Sequence, residues 1–194
     1  MEKRIEELGQ NWKTMPRNNV EDIQAADRYY NENIMPLSAE KFFKCYGDTN
    51  KVYDLMLVTV GTSWQPIVLS IMVKCPKEVV FLATEGVKND IATALAFMEK
   101  MGQPLVNYKT IIVDKSESAP LIKAVKDIYD RVKPVNSCFD ITGGTKAMAA
   151  AAGMIGAALD MEIFYVESNY LPVYRHPEPG SERMVKLQRP KDVL

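Results

Sequence analysis

The sequence predicts a doubly wound α/β fold: a mainly parallel sheet with a helical extension ahead of it and a β-hairpin behind. Three observations predict it. From residue 53 onward, short apolar runs alternate with helix-like segments. The runs are near-continuous in Val, Ile, Leu and Phe, as in strands buried on both faces. Helices between consecutive strands imply right-handed crossovers, and so a parallel sheet.

Taken in order, residues 1–50 form an N-terminal helical segment, rich in charged and amide side chains. Asn19 or Asn18 caps a helix through VEDIQAADRYYNENI, and Ser38 followed by Glu40 opens another through AEKFFKCY, ending near Gly47. Tyr29, Tyr30, Phe42 and Phe43 are expected on the inner faces of these helices. Residues 51–194 form the sheet-bearing domain, with strands at 53–60, 77–84, 108–114, 136–142 and 162–168. Helices are expected at 63–74, 87–101, 116–132 and 144–159. The tail YLPVYRHPEPGSERMVKL reads as an antiparallel hairpin around Pro177-Glu178-Pro179-Gly180, added to the sheet. The chain stops at QRPKDVL without a closing helix, as a piece cut from something longer would.

Composition narrows the function. Lys and Arg number 24 and Asp and Glu 25, a net charge of −1, which argues against general DNA or RNA binding. The 47% apolar and 25% charged fractions are those of a globular protein. The N-terminus lacks a secretory signal. The uncharged stretch Ala147–Leu159 has thirteen residues, fewer than the roughly 17–25 of a membrane span. It reads as a buried helix, with a homodimer interface as the second possibility. Cys45, Cys75 and Cys138 are an odd, widely spaced set, which fits reduced thiols in a cytoplasmic protein and no metal site. His176 is the only histidine, which disfavours Ser–His–Asp chemistry and paired-histidine metal sites.

Ligands of open α/β sheets bind at the carboxyl ends of the strands, where the strand order reverses. With the order 3-2-1-4-5, that point lies between the first and fourth strands. The two most unusual turns follow those strands: Gly61-Thr62-Ser63-Trp64-Gln65-Pro66, and Asp140-Ile141-Thr142-Gly143-Gly144-Thr145-Lys146. Each can hold a phosphate ester. Gly61 admits a ligand close to the backbone, and Thr62 and Ser63 offer hydroxyls, although they serve equally well as a tight turn and a helix cap. Gly143 and Gly144 expose backbone N–H groups at a helix N-terminus, and Lys146 adds a full charge. Asp140 ties the turn or orients a ribose. Thr84 and Glu85, after the second strand, are further candidates for base or ribose contacts, with Glu85 equally a solvated helix-start acid.

Several familiar sites are absent. G-x-G-x-x-G does not follow the first strand, and Thr145 separates Gly144 from Lys146, which breaks the P-loop pattern. No Asp or Glu is followed two residues later by Lys, and no Arg stands four to six residues before His176, so two common nuclease patterns are missing.

VTVGTSWQPIVLSI after the first strand, with FDITGGTKAMAAA after the fourth, resembles the CRISPR-associated Rossmann fold (CARF) domains. The likeness covers about residues 20–190 and is nearest to the subgroup with a helical segment before a GTS-x-QP turn. That subgroup commonly continues from a PEPGSE-type hairpin into an effector. The resemblance implies a Rossmann-like, homodimeric receptor for a cyclic oligoadenylate, the second messenger of type III CRISPR antiviral defence. Cyclic tetra-adenylate is the first candidate and cyclic hexa-adenylate the second. Gly61, Thr62, Ser63 and Gln65 would line one edge of the pocket, and Thr142, Gly143, Gly144, Thr145 and Lys146 the other. No cofactor is implied, and the effector would be a covalently linked or separate domain. Two alternatives stand beside sensing: a ring nuclease using the ribose 2′-hydroxyl as internal nucleophile without metal, and a generic nucleotide-binding module. Binding is preferred to cleavage because no strong general base is evident.

Overall fold

In the computed structural model, residues 1–48, 50–114, 117–174 and 176–188 are described. Their contacts divide into two compact units. One comprises Asp48–Val166 with the segment from Met184, and the other Met1–Gly47 with Glu167–Arg183.

The first unit carries strands β1 (Leu55–Thr59), β2 (Glu78–Ala83), β3 (Tyr108–Ile112), β4 (Ser137–Asp140) and β5 (Glu162–Glu167). After them in the chain come the short β6 (Tyr170–Leu171) and β7 (His176–Pro177), which belong to the second unit, and then β8 (Arg183–Lys186). The main sheet runs β3-β2-β1-β4-β5-β8, and β1 to β5 pair in parallel. The expected order 3-2-1-4-5 is therefore the observed one. The hairpin is present but differs in placement: β6 and β7 pair antiparallel in a two-stranded sheet of their own, and β8 alone extends the main sheet. Pro177 lacks a ladder N–H, which suits a two-residue strand at an edge.

Between the strands of this unit lie α4 (Gln65–Lys74), α5 (Lys88–Lys100), α6 (Ser118–Val132) and α7 (Lys146–Ala158). Right-handed crossovers from a sheet that grows first one way and then the other put α4 and α5 on one face and α6 and α7 on the other. On the α6–α7 face, Leu55, Leu57, Val80, Leu82 and Phe139 pack with Leu121, Val125, Ile128, Met148 and Ala152, all buried. In α4 every residue from Ile67 to Lys74 is buried, and that stretch is apolar all round except at Ser70 and Lys74.

Lys74, 4% exposed, ends α4 and forms an ion pair with Glu162 at the amino end of the sheet. Lys51 Nζ reaches the same carboxylate at 2.8 Å, and the Tyr53 hydroxyl donates to it at 2.9 Å. Burial alone would raise the Glu162 carboxyl, but these donors and the lysine charges pull it down to about 2. Burial and the neighbouring Glu162 push the Tyr53 phenol well up. A cation at a helix C-terminus also meets the negative end of the helix dipole, which favours Lys74 where it stands.

The second unit holds α1 (Glu2–Thr14), α2 (Val20–Tyr29) and α3 (Met35–Tyr46). Asn19 is the cap of α2, its side chain accepting from Asp22 N at 2.8 Å. The second expected helix start does not occur at Ser38. One π-helical turn, Tyr30–Ile34, carries α2 directly into α3, and Ser38 is buried inside α3 with no capping role. Pro36 directly follows the π-helical turn, where the regular i→i−4 ladder is already interrupted, so its missing N–H is tolerated there. The end near Gly47 is as expected. Tyr30 and Phe42 are buried whereas Tyr29 and Phe43 are half-buried, since neighbours in a helix cannot share one face. Trp12 of α1 lies 5.5 Å from Tyr30, 5.1 Å from Tyr174 and 5.2 Å from His176, ring centre to ring centre. The Arg17 guanidinium stands 4.7 Å over both Trp12 and Tyr174. This aromatic cluster ties the N-terminal helices to the β6–β7 segment.

Candidate functional site

β1 and β4 are neighbours, with Val58 beside Asp140, and the chain turns after each into a helix. The two turns touch backbone to backbone. A Cβ on Gly143 would lie 2.3 Å from Gly61 N and 2.4 Å from Thr59 O, so no other residue fits there unchanged. A Cβ on Gly61 would lie 3.0 Å from Gly144 N. Thr59 Oγ1 donates to Gly143 O at 2.8 Å, which fixes the second turn against the end of β1.

α7 begins immediately after the glycines. Thr145 is its cap, its hydroxyl accepting from Met148 N at 3.2 Å, and Gly144 adopts a φ of +82° that brings the chain into the cap. Lys146, the first helical residue, is exposed and makes no salt bridge among the described residues. A cation there faces the positive end of the helix dipole, an unfavourable placement unless an anion joins it. Neither α7 nor α4 has an acidic residue in its first turn. Both N-termini are therefore open to a negative ligand.

The first turn differs from the expectation in one respect. α4 begins at Gln65 with Trp64 as its cap residue and no side-chain capping bond, so Thr62 and Ser63 do not cap it. Both are exposed, and neither makes a hydrogen bond among the described residues. Gln65 is half-buried. Trp64 packs on Phe97 of α5 at 5.0 Å and anchors the turn from the side.

Asp140, 1% exposed, accepts from Thr142 N at 2.8 Å and from the Thr142 hydroxyl. That hydroxyl in turn accepts from Val166 N at 2.8 Å. Asp140 thus ties the turn, and Thr142 belongs to its frame. Burial pushes the Asp140 carboxyl above its ordinary range, against the pull of the Thr142 bonds. Thr84 and Glu85 sit at the end of β2, one strand from β1. Glu85 pairs with Lys88 at 2.6 Å, and neither residue shares a hydrogen bond with the two turns among the described residues. The structure therefore brings together Gly61, Gly143 and Gly144, sets Thr62, Ser63, Gln65, Thr145 and Lys146 around them, and leaves Thr84 and Glu85 to one side. Sequence reasoning missed Thr59 and Trp64. The signal for Thr59 was a lone hydroxyl closing an apolar strand.

Among the described residues no group of three or more His, Cys, Asp or Glu converges as a metal site. No helix among them is long and apolar enough to cross a membrane.

No family model matches the chain, and no curated protein does. Solved structures do. Can2 from Sulfobacillus thermosulfidooxidans, in complex with cyclic tetra-adenylate, is 21% identical over 67% of this chain and 36% of its own, with a TM-score of 0.52. Enterococcus italicus Csm6, bound to cyclic hexa-2′-fluoro-hexa-dAMP, is 9% identical over 68% of this chain and 41% of its own, with a TM-score of 0.51. Protein VC1899 from Vibrio cholerae is 12% identical over 69% of this chain and 36% of its own, with a TM-score of 0.50. These are CARF-domain structures, as the resemblance of the two turns implied, and the likeness is one of fold. The matched region is well under half the length of each of these proteins.

Proposed function

We propose that this chain is a homodimeric sensor of a cyclic oligoadenylate, with cyclic tetra-adenylate ahead of cyclic hexa-adenylate, that regulates an effector domain in type III CRISPR antiviral defence. The observation that carries the proposal is the contact between the Gly61 and Gly143-Gly144 turns at the switch point of the sheet. The N-terminus of α7 and Lys146 directly follow that contact, α4 starts four residues after Gly61, and a helix N-terminus favours an anion. Can2 and Csm6, which share the fold, were solved with cyclic oligonucleotides. In this reading residues 51–194 are the sensing part and residues 1–50 a helical segment ahead of it.

The chemistry is recognition of a phosphodiester ring. The backbone N–H groups of the glycine turn and the start of α7 meet one phosphate, with Lys146 neutralising its charge. Thr62, Ser63 and Gln65 face the ring from the first turn as hydroxyl and amide partners for ribose or base. A ring with an even number of adenosines shares a two-fold axis with two copies of the chain, each giving the same pair of turns. The outward face of α7 supports the second copy: Ala147, Ala150, Met154 and Ala158 are exposed, and no charge interrupts the helix after Lys146.

The test is calorimetric titration with cyclic tetra- and hexa-adenylate, using linear oligoadenylate and AMP as controls, with chromatography of the recovered ligand. The expected result is tight binding of one intact ring per two chains. Comparable binding of AMP would replace the proposal with a generic nucleotide module, and linear products would make the chain a ring nuclease. Binding of neither ring would end it.

Lys146→Ala should weaken ring binding by about 1.5–3 kcal/mol, or roughly 10–150-fold. The same substitution should leave stability equal or raise it by about 0.3–1 kcal/mol, because it removes a cation from a helix N-terminus. Unchanged affinity in a folded variant would remove Lys146 from the site.

A further inference from the structure

We infer that Thr142 is a positioning residue that couples occupancy of the proposed ring site to the end of β5, where the chain leaves the sheet-bearing unit. The inference rests on the ring-binding reading and adds a route by which the site is regulated.

The parallel ladder between β4 and β5 continues just past the paired strands, where Ile141 N donates to Phe164 O at 3.0 Å. Two residues further along β5 the partner is a side chain. Val166 N donates at 2.8 Å to the Thr142 hydroxyl, which itself donates to Asp140 Oδ1. Thr142 N completes the arrangement by donating to the same carboxylate oxygen at 2.8 Å. One hydroxyl therefore joins three things: a buried carboxyl, the turn that carries Gly143 and Gly144, and the amide of Val166. Val166 also ends the first segment of its unit, for the chain passes into the other unit at Glu167 and returns at Met184. A ligand that orders the glycine turn orders the hydroxyl, and the hydroxyl holds Val166. By linkage, whatever holds Val166 must favour the ligand equally.

Threonine is the residue this requires. Valine has nearly the same shape but leaves both the Val166 N–H and the Asp140 oxygen without the hydroxyl, whereas serine retains it. The inference is tested by NMR hydrogen exchange at the Val166 amide and by titration with the ring that wild type binds, for wild type, Thr142→Val and Thr142→Ser. Expected are about tenfold faster exchange of the unliganded Val166 amide and about tenfold weaker ring binding in Thr142→Val. Thr142→Ser should stay within about threefold of wild type on both readouts. Added ring should slow exchange at Val166 in wild type and in Thr142→Ser but not in Thr142→Val.

Weaker binding by Thr142→Val with unchanged exchange at Val166 would make Thr142 a direct ligand contact and overturn the coupling. So would a wild type that binds the ring without added protection at Val166, a comparison that needs no variant to fold. A wild type that binds neither ring would instead overturn the proposed function itself, and the two failures are told apart by the titration.

Discussion

Replacing Gly143 with alanine is expected to destabilise the protein by about 3 kcal/mol or more, near the top of the range for forcing extra volume into a packed region. The new Cβ would lie 2.3 Å from Gly61 N, 2.4 Å from Thr59 O and 2.9 Å from Val60 C. All three are backbone atoms, so no rotamer change relieves the clash, and the two turns must part. For a chain of this length the melting temperature should fall by roughly 6–12 °C. The internal control lies on the helix that follows. Gly153 in α7 has nothing within 4 Å of a built Cβ, so Gly153→Ala should stabilise by about 0.4–1 kcal/mol through helix propensity. Urea denaturation of both variants gives the comparison, and a Gly143→Ala variant as stable as wild type would show that the turns are not packed on one another.

The second large effect is at the opposite end of the sheet. Glu162→Gln should cost about 3 kcal/mol, because it leaves the buried Lys74 charge without its counter-ion. The effect carries a pH signature. The folded Glu162 carboxyl is held at about 2, below its ordinary value of 4.5, so its contribution is complete above pH 4.5 and fades as pH falls towards 2. The shift corresponds to stabilisation on the order of 3 kcal/mol. Denaturation curves of wild type and Glu162→Gln should therefore lie apart at pH 7 and converge as pH falls from 4.5 towards 2. Burial raises the Asp140 and Glu182 carboxyls, which act in the opposite sense, but both are common to the two proteins and cancel in the difference. Adding Lys74→Met to Glu162→Gln should restore much of the loss, since a neutral pair of similar volume has no buried charge to satisfy. A pH-independent gap would remove the ion pair from the account.

The sheet was legible because its signal is local and redundant. β1, β2 and β4 are buried on both faces, so their apolar runs could hardly be read otherwise, and the intervening helices gave the order by handedness alone. The candidate site was legible for the same reason, since the switch point follows from the order and the glycine turns mark it. What stayed hidden depends on partners distant in the chain. Thr142 looked like a free hydroxyl in a ligand loop, and only the fold brings Val166, 24 residues on, to its oxygen. Ser38 has the residue type of a helix cap, but burial and a continuous helix outweighed that local preference. The partner of Trp12 could not be read locally either, because Tyr174 and His176 reach it from the far end of the sequence.

That last arrangement bears on how the protein is made. The helical unit draws its first part from residues up to Gly47 and its second from residues 167–183. At about 5–20 residues per second, a ribosome needs roughly 6–24 s to travel from one part to the other. Throughout that interval Trp12 and Tyr30 lack Tyr174 and His176, the aromatic partners that later join them, and strands β1 to β5 are translated before those partners. Strands β1 to β5 are thus available to pair before the N-terminal helices can gain Tyr174 and His176, and β8 joins the sheet last of all.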